Sequence, residues 1–225
     1  MIRVAITRTL PDAERTAERV RRLGADPILA PLLKIVPCVF DANIGGAQAI
    51  IFTSSNGVRA FSNSCSARDR IVLTVGDATA GTAREAGFTD VRSAGGDVNA
   101  LAALTKATLD PVNGMVIHIA GDHVAGDLAG ELRAAGFSVE RRRAYASVAA
   151  DTLPEAFSTR LDIVLFHSAR AADAFVALGA PNAAGLVAAC LSPAVAAAAA
   201  KTSWKRIVAA RHPREDDLLA TTLGG

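Results

Sequence analysis

Short apolar runs alternate with segments of helical period along the chain. The first run, Ile2–Thr7, is followed by a predicted helix that starts near Asp12 and stops at Gly24, a residue suited to a helix C-terminus. Similar pairs follow one another to the end of the chain. This βα alternation is typical of an α/β protein built on parallel sheets.

The βα pattern is itself repeated. Met115–Ala120 and a helix ending at Gly136 match the first unit about 112 positions earlier. Further on, Ile50–Ser54 with Ala60-Phe61 parallels Val164–Ser168 with Ala174-Phe175, and Leu73–Gly76 parallels Ala189–Pro193. The matches keep the same order, so the sequence predicts two similar parallel-sheet βα lobes, with function in the cleft between them.

Each copy of the first unit is followed by a segment that is predicted to be extended. These segments are Asp26–Val39, with three prolines, and Phe137–Ala149. They fall at equivalent points and could pair as a ribbon. Two topologies stay open on this evidence: two consecutive lobes, or lobes that exchange their first βα unit.

Composition narrows the class of protein. The 225 residues carry a formal charge of +2, with both signs interspersed, which argues against a nucleic-acid surface or a polybasic membrane arm. Cys38, Cys65 and Cys190 are far apart, so neither a disulfide framework nor a zinc site is expected. Because the N-terminus reads as a strand rather than a signal segment, a cytoplasmic location is expected. The apolar stretch 182–200 is interpreted as a strand and an Ala-rich helix, not a membrane span.

Small and hydroxylic residues follow the predicted strands. In open parallel sheets, ligands bind beyond the carboxyl ends of the strands, where helix N-termini supply free N–H groups. Such turns suit a ligand with several carboxylates or phosphates, although Ser, Thr and Asp are also simply preferred helix caps. The turns are Thr53-Ser54-Ser55-Asn56-Gly57, Gly76-Asp77-Ala78-Thr79, Gly121-Asp122-His123, His167-Ser168 and Ser192-Pro193.

Several kinds of site are disfavoured. The chain has no G-x-x-x-x-G-K-[ST] or G-x-G-x-x-G motif, which argues against nucleotide binding. Its four histidines show no metal-ligand spacing, so no metal is expected. His167 and Ser168 are strand neighbours whose side chains point to opposite faces, which makes a Ser–His nucleophilic pair improbable.

Tyr145 is the only tyrosine, and it follows Arg141-Arg142-Arg143. A phenol can donate and accept a proton, and nearby arginines are expected to stabilise its ionised form. Packing between the lobes is the alternative explanation for this residue.

Taken together, these residues resemble the uroporphyrinogen-III synthase family. The pieces span nearly the whole chain in the family's order. They are Ile6-Thr7-Arg8, Ile50–Val58, Val75–Ala80, Ala120-Gly121-Asp122, Ala135-Gly136-Phe137, Arg143-Ala144-Tyr145 and Phe166–Ala169.

The resemblance implies the exchanged topology, with two lobes joined by a two-stranded ladder. One lobe would comprise residues 1–34 and 150–225, the other 39–143, and the ladder 35–38 and 144–149. It also implies a cofactor-free lyase that closes linear hydroxymethylbilane, which carries eight carboxylates, to uroporphyrinogen III with inversion of the last ring and loss of water. No nucleic-acid or membrane partner is expected, and the protein is expected to be a monomer.

Residue roles follow from the resemblance and from the turns described above. Tyr145 matches the family tyrosine proposed to assist departure of the hydroxyl, and is predicted to be catalytic. The turn Ser192-Pro193-Ala194-Val195 departs from the hydroxylic turn of many members, which weakens any side-chain role there. The predicted substrate-binding residues are Arg8, Thr53, Ser54, Ser55, Asn56, Gly76, Thr79, Gly121, Asp122, Ser168 and Ser192.

Two other functions remain compatible with the sequence. The same duplicated lobes would serve a non-catalytic receptor or sensor for a small anion. A flavodoxin-like flavin protein is a weaker alternative, because the chain has neither a phosphate fingerprint nor an aromatic sandwich.

Overall fold

The computed structural model describes residues 1–124 and 126–224. It divides into two compact units. The first, which we call the terminal unit, comprises Met1–Lys34 and Val148–Gly225, and the second, the central unit, is Ile35–Ser147. The chain therefore leaves the terminal unit once and returns to it once.

Regular elements alternate in chain order, as the hydrophobic pattern predicts. The strands are β1 Arg3–Ile6, β2 Asp26–Leu29, β3 Leu33–Pro37, β4 Ala47–Phe52, β5 Ile71–Thr74, β6 Val91–Ser93, β7 Met115–Gly121, β8 Val139–Ala149, β9 Ile163–Phe166, β10 Val187–Cys190 and β11 Arg206–Ala209. The helices are α1 Asp12–Arg22, α2 Ser55–Ser64, α3 Asp77–Glu85, α4 Val98–Thr108, α5 Leu128–Ala134, α6 Ala169–Ala177, α7 Pro193–Ala199 and α8 Glu215–Leu223.

Each unit contains one sheet. The terminal sheet has the order β2-β1-β9-β10-β11, and its neighbouring strands are parallel. The central sheet has the order β3-β8-β7-β4-β5-β6, and it is parallel from β8 to β6. In both sheets the first βα unit of one sequence copy therefore lies beside the later strands of the other copy. The predicted α/β class with two discontinuous parallel-sheet lobes is confirmed, and the exchanged topology is the one present.

Apolar side chains cover both faces of each sheet, which explains why the strands read as near-continuous apolar runs. In the central unit, Phe52 and Ile117 pack on one face, and Ile51 and Val116 pack on the other. The terminal unit repeats this arrangement with Phe166 on one face and Leu165 on the opposite one.

The two predicted extended connectors lie next to each other. Strand β3 is the neighbour of β8 at the edge of the central sheet, and the Cys38 amide donates a 2.9 Å hydrogen bond to the carbonyl of Ala144. Further along, the Ala150 amide donates to the Leu32 carbonyl at 2.9 Å. The connectors therefore form strands of the two sheets and do not make a separate ribbon.

The apolar stretch 182–200 forms a single turn of 3-10 helix at Ala183–Gly185, then β10 and α7. Among the residues that the structure describes, none of the helices combines the length and the apolar character needed to cross a membrane.

Candidate functional site

The carboxyl ends of β7 and β8 place Tyr145 beside Gly121. The strands are in simple register from Val116 to Ala120, but the register shifts before Gly121, which pairs with Tyr145. A bulge of this kind places one extra residue in β8 and re-aims the next side chain. Consequently Ala144 and Tyr145 both pack in the core cluster that contains Ile117 and Phe52.

Gly121 is the residue that makes room for the tyrosine ring. A Cβ at this position would lie 2.8 Å from both Cε2 and Cζ of Tyr145, closer than any side chain tolerates. Tyr145 is 8% exposed. The absence of a side chain at Gly121 therefore fixes where the phenol lies.

Tyr145 is held in its protonated form. Burial raises the pKa of the phenol above its ordinary value, a hydrogen bond with Ser54 opposes that rise, and the charge of Asp122 adds to it. Arginine stabilisation of the phenolate, which the sequence suggested, is therefore wrong. By strand alternation Arg141 and Arg143 lie on the face of β8 that carries Val139, whereas the bulge directs Tyr145 to the opposite face.

Asp122 stabilises the turn after β7 rather than a helix. Its Oδ1 accepts hydrogen bonds from the amides of His123 at 2.9 Å and Ser147 at 3.1 Å, and its own amide donates to the Tyr145 carbonyl at 3.0 Å. Helix α5 starts later and has Asp127 as its N-cap. The expectation that Gly121-Asp122 opens this helix is wrong, because the carboxylate of Asp122 accepts from the amides of His123 and Ser147 and its own amide pairs with Tyr145.

Ser54 is the N-cap of α2, and its hydroxyl accepts the Asn56 amide at 3.2 Å. Ser55 is buried, with its hydroxyl 3.1 Å from Thr82 of α3, so it links the two helices. The Asn56 side chain accepts from Arg59. Ser54, through its contact with Tyr145, is the member of this turn closest to the predicted chemistry.

The next turn of the central unit opens α3. Gly76 is the N-cap residue of α3, without a side-chain hydrogen bond to the helix. Thr79 lies buried in the first turn of the helix. The structure thus brings the first turns of α2 and α3 to the carboxyl ends of β4 and β5, neighbouring strands of one sheet. Each helix N-terminus carries partial positive charge and amide donors.

His118 contacts Thr53, the first residue of the turn that leads into α2, although His118 was not among the site residues predicted from the sequence. It lies in β7, is 2% exposed, and its Nε2 is 3.2 Å from Oγ1 of Thr53, at the carboxyl end of β4. Burial, and secondarily the charge of Arg141, lowers the pKa of His118 to about 4. Its signal in the sequence is a single polar residue inside the apolar run Met115–Ala120.

Arg8 is committed to a charged cluster in the terminal unit. Its Nη1 donates to Glu215 Oε1 at 3.1 Å, and its Nη2 is 3.7 Å from Asp12. Arg19 donates to the other carboxylate oxygen of Glu215 at 2.6 Å. With its charge shared among these groups, Arg8 is anchored inside the unit rather than presented to a ligand.

His167 completes the same cluster. It is strongly buried, and its Nε2 lies 2.9 Å from Glu215 Oε1. Burial lowers the pKa of His167, partly offset by the hydrogen bond with Glu215. Burial by itself would raise the pKa of Glu215, but the hydrogen bonds from His167 and Thr16 and the charge of Arg8 outweigh it and hold that pKa well below its usual value.

The remaining predicted residues of the terminal unit are helix caps. Ser168 accepts the Ala171 amide at 3.2 Å as the N-cap of α6, and Ser192 accepts the Val195 amide at 3.4 Å as the N-cap of α7. Helix α7 has only seven residues. In residues 1–124 and 126–224, no group of three or more His, Cys, Asp or Glu side chains is arranged to hold a metal ion.

Fold and site together define a discontinuous, duplicated parallel α/β protein with a buried, protonated tyrosine at the strand ends of its central sheet. The family model described as uroporphyrinogen-III synthase HemD matches residues 14–220. The chain belongs to this family, which acts in tetrapyrrole biosynthesis.

Solved structures agree on the fold. The chain is similar to uroporphyrinogen-III synthetase from Helicobacter pylori, with a TM-score of 0.70 at 14% identity over 100% of this chain and 99% of that one. It is also similar to a mutant uroporphyrinogen III synthase from Thermus thermophilus, with a TM-score of 0.55 at 18% identity over 97% and 96% of the two chains. No curated protein matches the chain.

Proposed function

We propose that this protein is a uroporphyrinogen-III synthase, which converts linear hydroxymethylbilane to uroporphyrinogen III and water with inversion of the terminal pyrrole ring. The observation that carries the proposal is the placement of Tyr145. It is a buried, protonated phenol against Gly121, in hydrogen-bond contact with Ser54 at the start of α2.

The role of Tyr145 in the proposal is that of a general acid. Its proton passes to the departing hydroxyl, the C–O bond breaks, and water leaves a cation that is delocalised over the pyrrole. The substituted carbon of the last ring attacks this cation and is then joined to two bridging carbons. Its original bond to the methylene bridge breaks, and the methylene cation so formed bonds to the unsubstituted α-carbon of the same ring, which inverts the ring and completes the macrocycle. The proton lost from that α-carbon restores the phenol. The raised pKa of Tyr145 keeps the phenol protonated, so that a proton is present for the leaving oxygen.

Binding of the substrate is assigned to groups that favour negative charge. The amide N–H groups in the first turns of α2 and α3 are directed toward carboxylates, with Ser54, Asn56, Gly76 and Thr79 at their starts. Thr53 and the Gly121-Asp122 turn complete this set in the central unit. Such groups hold the acyclic substrate in the shape from which ring closure follows, and positioning supplies most of the acceleration.

Arg8, Ser55, Ser168 and Ser192 have a weaker part in this proposal. Arg8 is occupied by Glu215 and Asp12, and Ser55 bridges α2 to α3. The two serines of the terminal unit cap α6 and α7. Their contribution is to shape the turns.

The decisive experiment is incubation of the pure protein with freshly prepared hydroxymethylbilane, followed by separation of the type I and type III isomers. The proposal expects the type III isomer at a rate above spontaneous closure. Formation of the type I product alone would overturn it and would favour a non-catalytic module that binds small anions.

A further inference from the structure

His118 is a buried polar side chain in hydrogen-bond contact with Thr53. In the register of β4 and β7, His118 pairs with Ile51, and Thr53 follows two residues later on the same face. The 3.2 Å approach of Nε2 to Oγ1 is a hydrogen bond whose direction depends on which ring nitrogen carries the proton.

The surroundings of His118 determine that tautomer. Its Nδ1 is buried and has no hydrogen-bond partner in the described part of the chain. A neutral imidazole has one N–H, and a buried N–H without an acceptor is rarer in proteins than a buried acceptor without a donor. The proton therefore lies on Nε2, and His118 donates to Thr53.

His167 in the terminal unit is an internal precedent. Its Nε2 faces the carboxylate of Glu215, which can only accept, so its proton is also on Nε2. Its Nδ1 is likewise buried without a partner among the residues described. This fold accommodates an unpaired Nδ1 of neutral histidine at the same end of both sheets.

The direction of the bond has a consequence for Thr53. Because its oxygen accepts from His118, its own proton remains available to another acceptor. A carboxylate is such an acceptor, and it has no proton of its own to offer. We propose that His118 is a positioning residue, which orients the Thr53 hydroxyl so that it donates to a carboxylate of the substrate. This inference rests on the proposed function for the identity of the ligand.

Arg141 supports the same arrangement from the next strand. It pairs in register with His118, and its Nη2 donates to the carbonyls of Gly121 at 2.6 Å and Asp122 at 3.0 Å. A cation so close disfavours an imidazolium at His118. Arg141 therefore adds to the effect of burial, which is the main reason that His118 is neutral, and it holds the turn that contacts Tyr145.

The first test needs no variant and no activity. Long-range ¹H–¹⁵N correlation spectra of the wild-type protein at neutral pH distinguish a protonated Nε2 from a protonated Nδ1. We expect the His118 proton on Nε2. A proton on Nδ1 would overturn the proposal whether or not the protein makes uroporphyrinogen III.

The second test uses H118Q, which keeps a donor near the position of Nε2, and H118F, which removes it. For H118F we expect the KM for hydroxymethylbilane to rise about tenfold with little change in kcat, the effect of one lost hydrogen bond. H118Q should stay within about twofold of wild type. An equal rise in both variants would contradict the proposal, since it would reflect packing alone.

A double-mutant cycle with T53V completes the test. If His118 acts through Thr53, H118F has no further effect on KM in the T53V background. Additive effects would overturn the proposal. Binding of uroporphyrin III, a fluorescent octacarboxylate, to wild type and T53V distinguishes failure of this proposal from failure of the proposed function. If T53V binds it more weakly but the wild-type protein forms no type III product, the synthase activity is rejected and the role of Thr53 as a donor is retained.

Discussion

The two units share a strand order but use equivalent positions differently. In the central unit, Thr53 at the end of β4 meets a neutral histidine from the neighbouring strand. In the terminal unit, His167 takes the place of Thr53, and Ile6 that of His118, judged by the register of β1 with β9. In that unit the partner of His167 is the carboxylate of Glu215, from α8, at 2.9 Å.

The difference shows how one fold separates stability from binding. Glu215 accepts hydrogen bonds from Arg8, Arg19 and His167. Because the opposite charges of this cluster are paired with one another, few of its donors are left to bind a ligand. In the central unit the partner of Thr53 is a neutral imidazole instead of a carboxylate. On the proposed function, most of the groups assigned to the reaction lie in the central unit, whereas the cluster stabilises the terminal unit.

The largest expected effect comes from breaking the charged cluster. Glu215→Gln leaves Arg8 and Arg19 without their shared carboxylate, and we expect the free energy of unfolding to fall by about 3 kcal/mol. Trp204, the only tryptophan, packs on Phe166 and Phe175 in the terminal unit, so its fluorescence during urea denaturation reports on that unit.

Asp216→Asn is the matched control, because the Asp216 side chain is 67% exposed and its pair with Arg19 lies at the surface. A change within about 0.5 kcal/mol is expected. Equal losses for the two variants would show that burial of Glu215 does not matter.

Tyr145→Phe tests the catalytic side of the comparison. The ring and its packing stay, and only the proton donor is removed, so we expect formation of the type III isomer to slow by about 100-fold with little loss of stability. Initial rates with hydroxymethylbilane, alongside a thermal melt, check both parts. A rate near that of wild type would exclude the phenol from the mechanism.

The pH dependence of stability separates the two histidines. The pKa of His118 is about 4 in the folded protein against an ordinary value of 6.5, so the unfolded state binds more protons between these values. Its contribution is fully present above pH 6.5 and decreases as the pH falls, by about 2 kcal/mol between pH 7 and pH 5.

His167, faced by Glu215, Arg8 and Asp12, has a lowered pKa and contributes with the same sign. Glu215, also with a lowered pKa, adds a loss only below its ordinary range near pH 4.5. Denaturation at about pH 7 and pH 5 of wild type, H118Q and H167Q should show a smaller pH effect in each variant. If H118Q retains the full wild-type decrease, His118 is not a source of it.

Gly121→Ala gives the smallest of these effects. The added methyl group must displace the Tyr145 ring, since it would lie 2.8 Å from two ring carbons, and we expect about a tenfold slower formation of the type III isomer. Gly81→Ala in α3 is the control, because a Cβ there meets nothing within 4 Å, and an alanine suits a helix better. Equal rates for both variants would show that the ring position tolerates the change.

Much of the fold followed from pattern. The apolar runs predicted the strands, and the repeat predicted similar lobes, because a strand buried on both faces needs apolar residues throughout. The start of α5 was misplaced: Asp122 resembles a cap, but it is used by the amides of His123 and Ser147. A local sequence does not show which donors a tertiary fold brings to a carboxylate.

The candidate site was predicted less completely. The turns at Ser54, Gly76 and Ser168 were recognised because hydroxylic or small residues at helix starts have a local cause. Arg8 looked like an anion-binding residue, yet its partner Glu215 is more than two hundred positions away. His118 was considered only as a possible metal ligand. Its hydrogen bond with Thr53 depends on the pairing of β4 with β7, which the sequence does not show.

By itself, the sequence determined the parallel α/β class, the duplication and the residue types at the strand ends, since all three arise from local periodicity and propensity. Tertiary structure decided which copy each first βα unit joins, because strand exchange depends on pairings that both topologies permit. It also decided that a bulge turns Tyr145 away from Arg141 and Arg143 and against Gly121. The raised pKa of that phenol follows from burial, a property that exists only once the chain is folded.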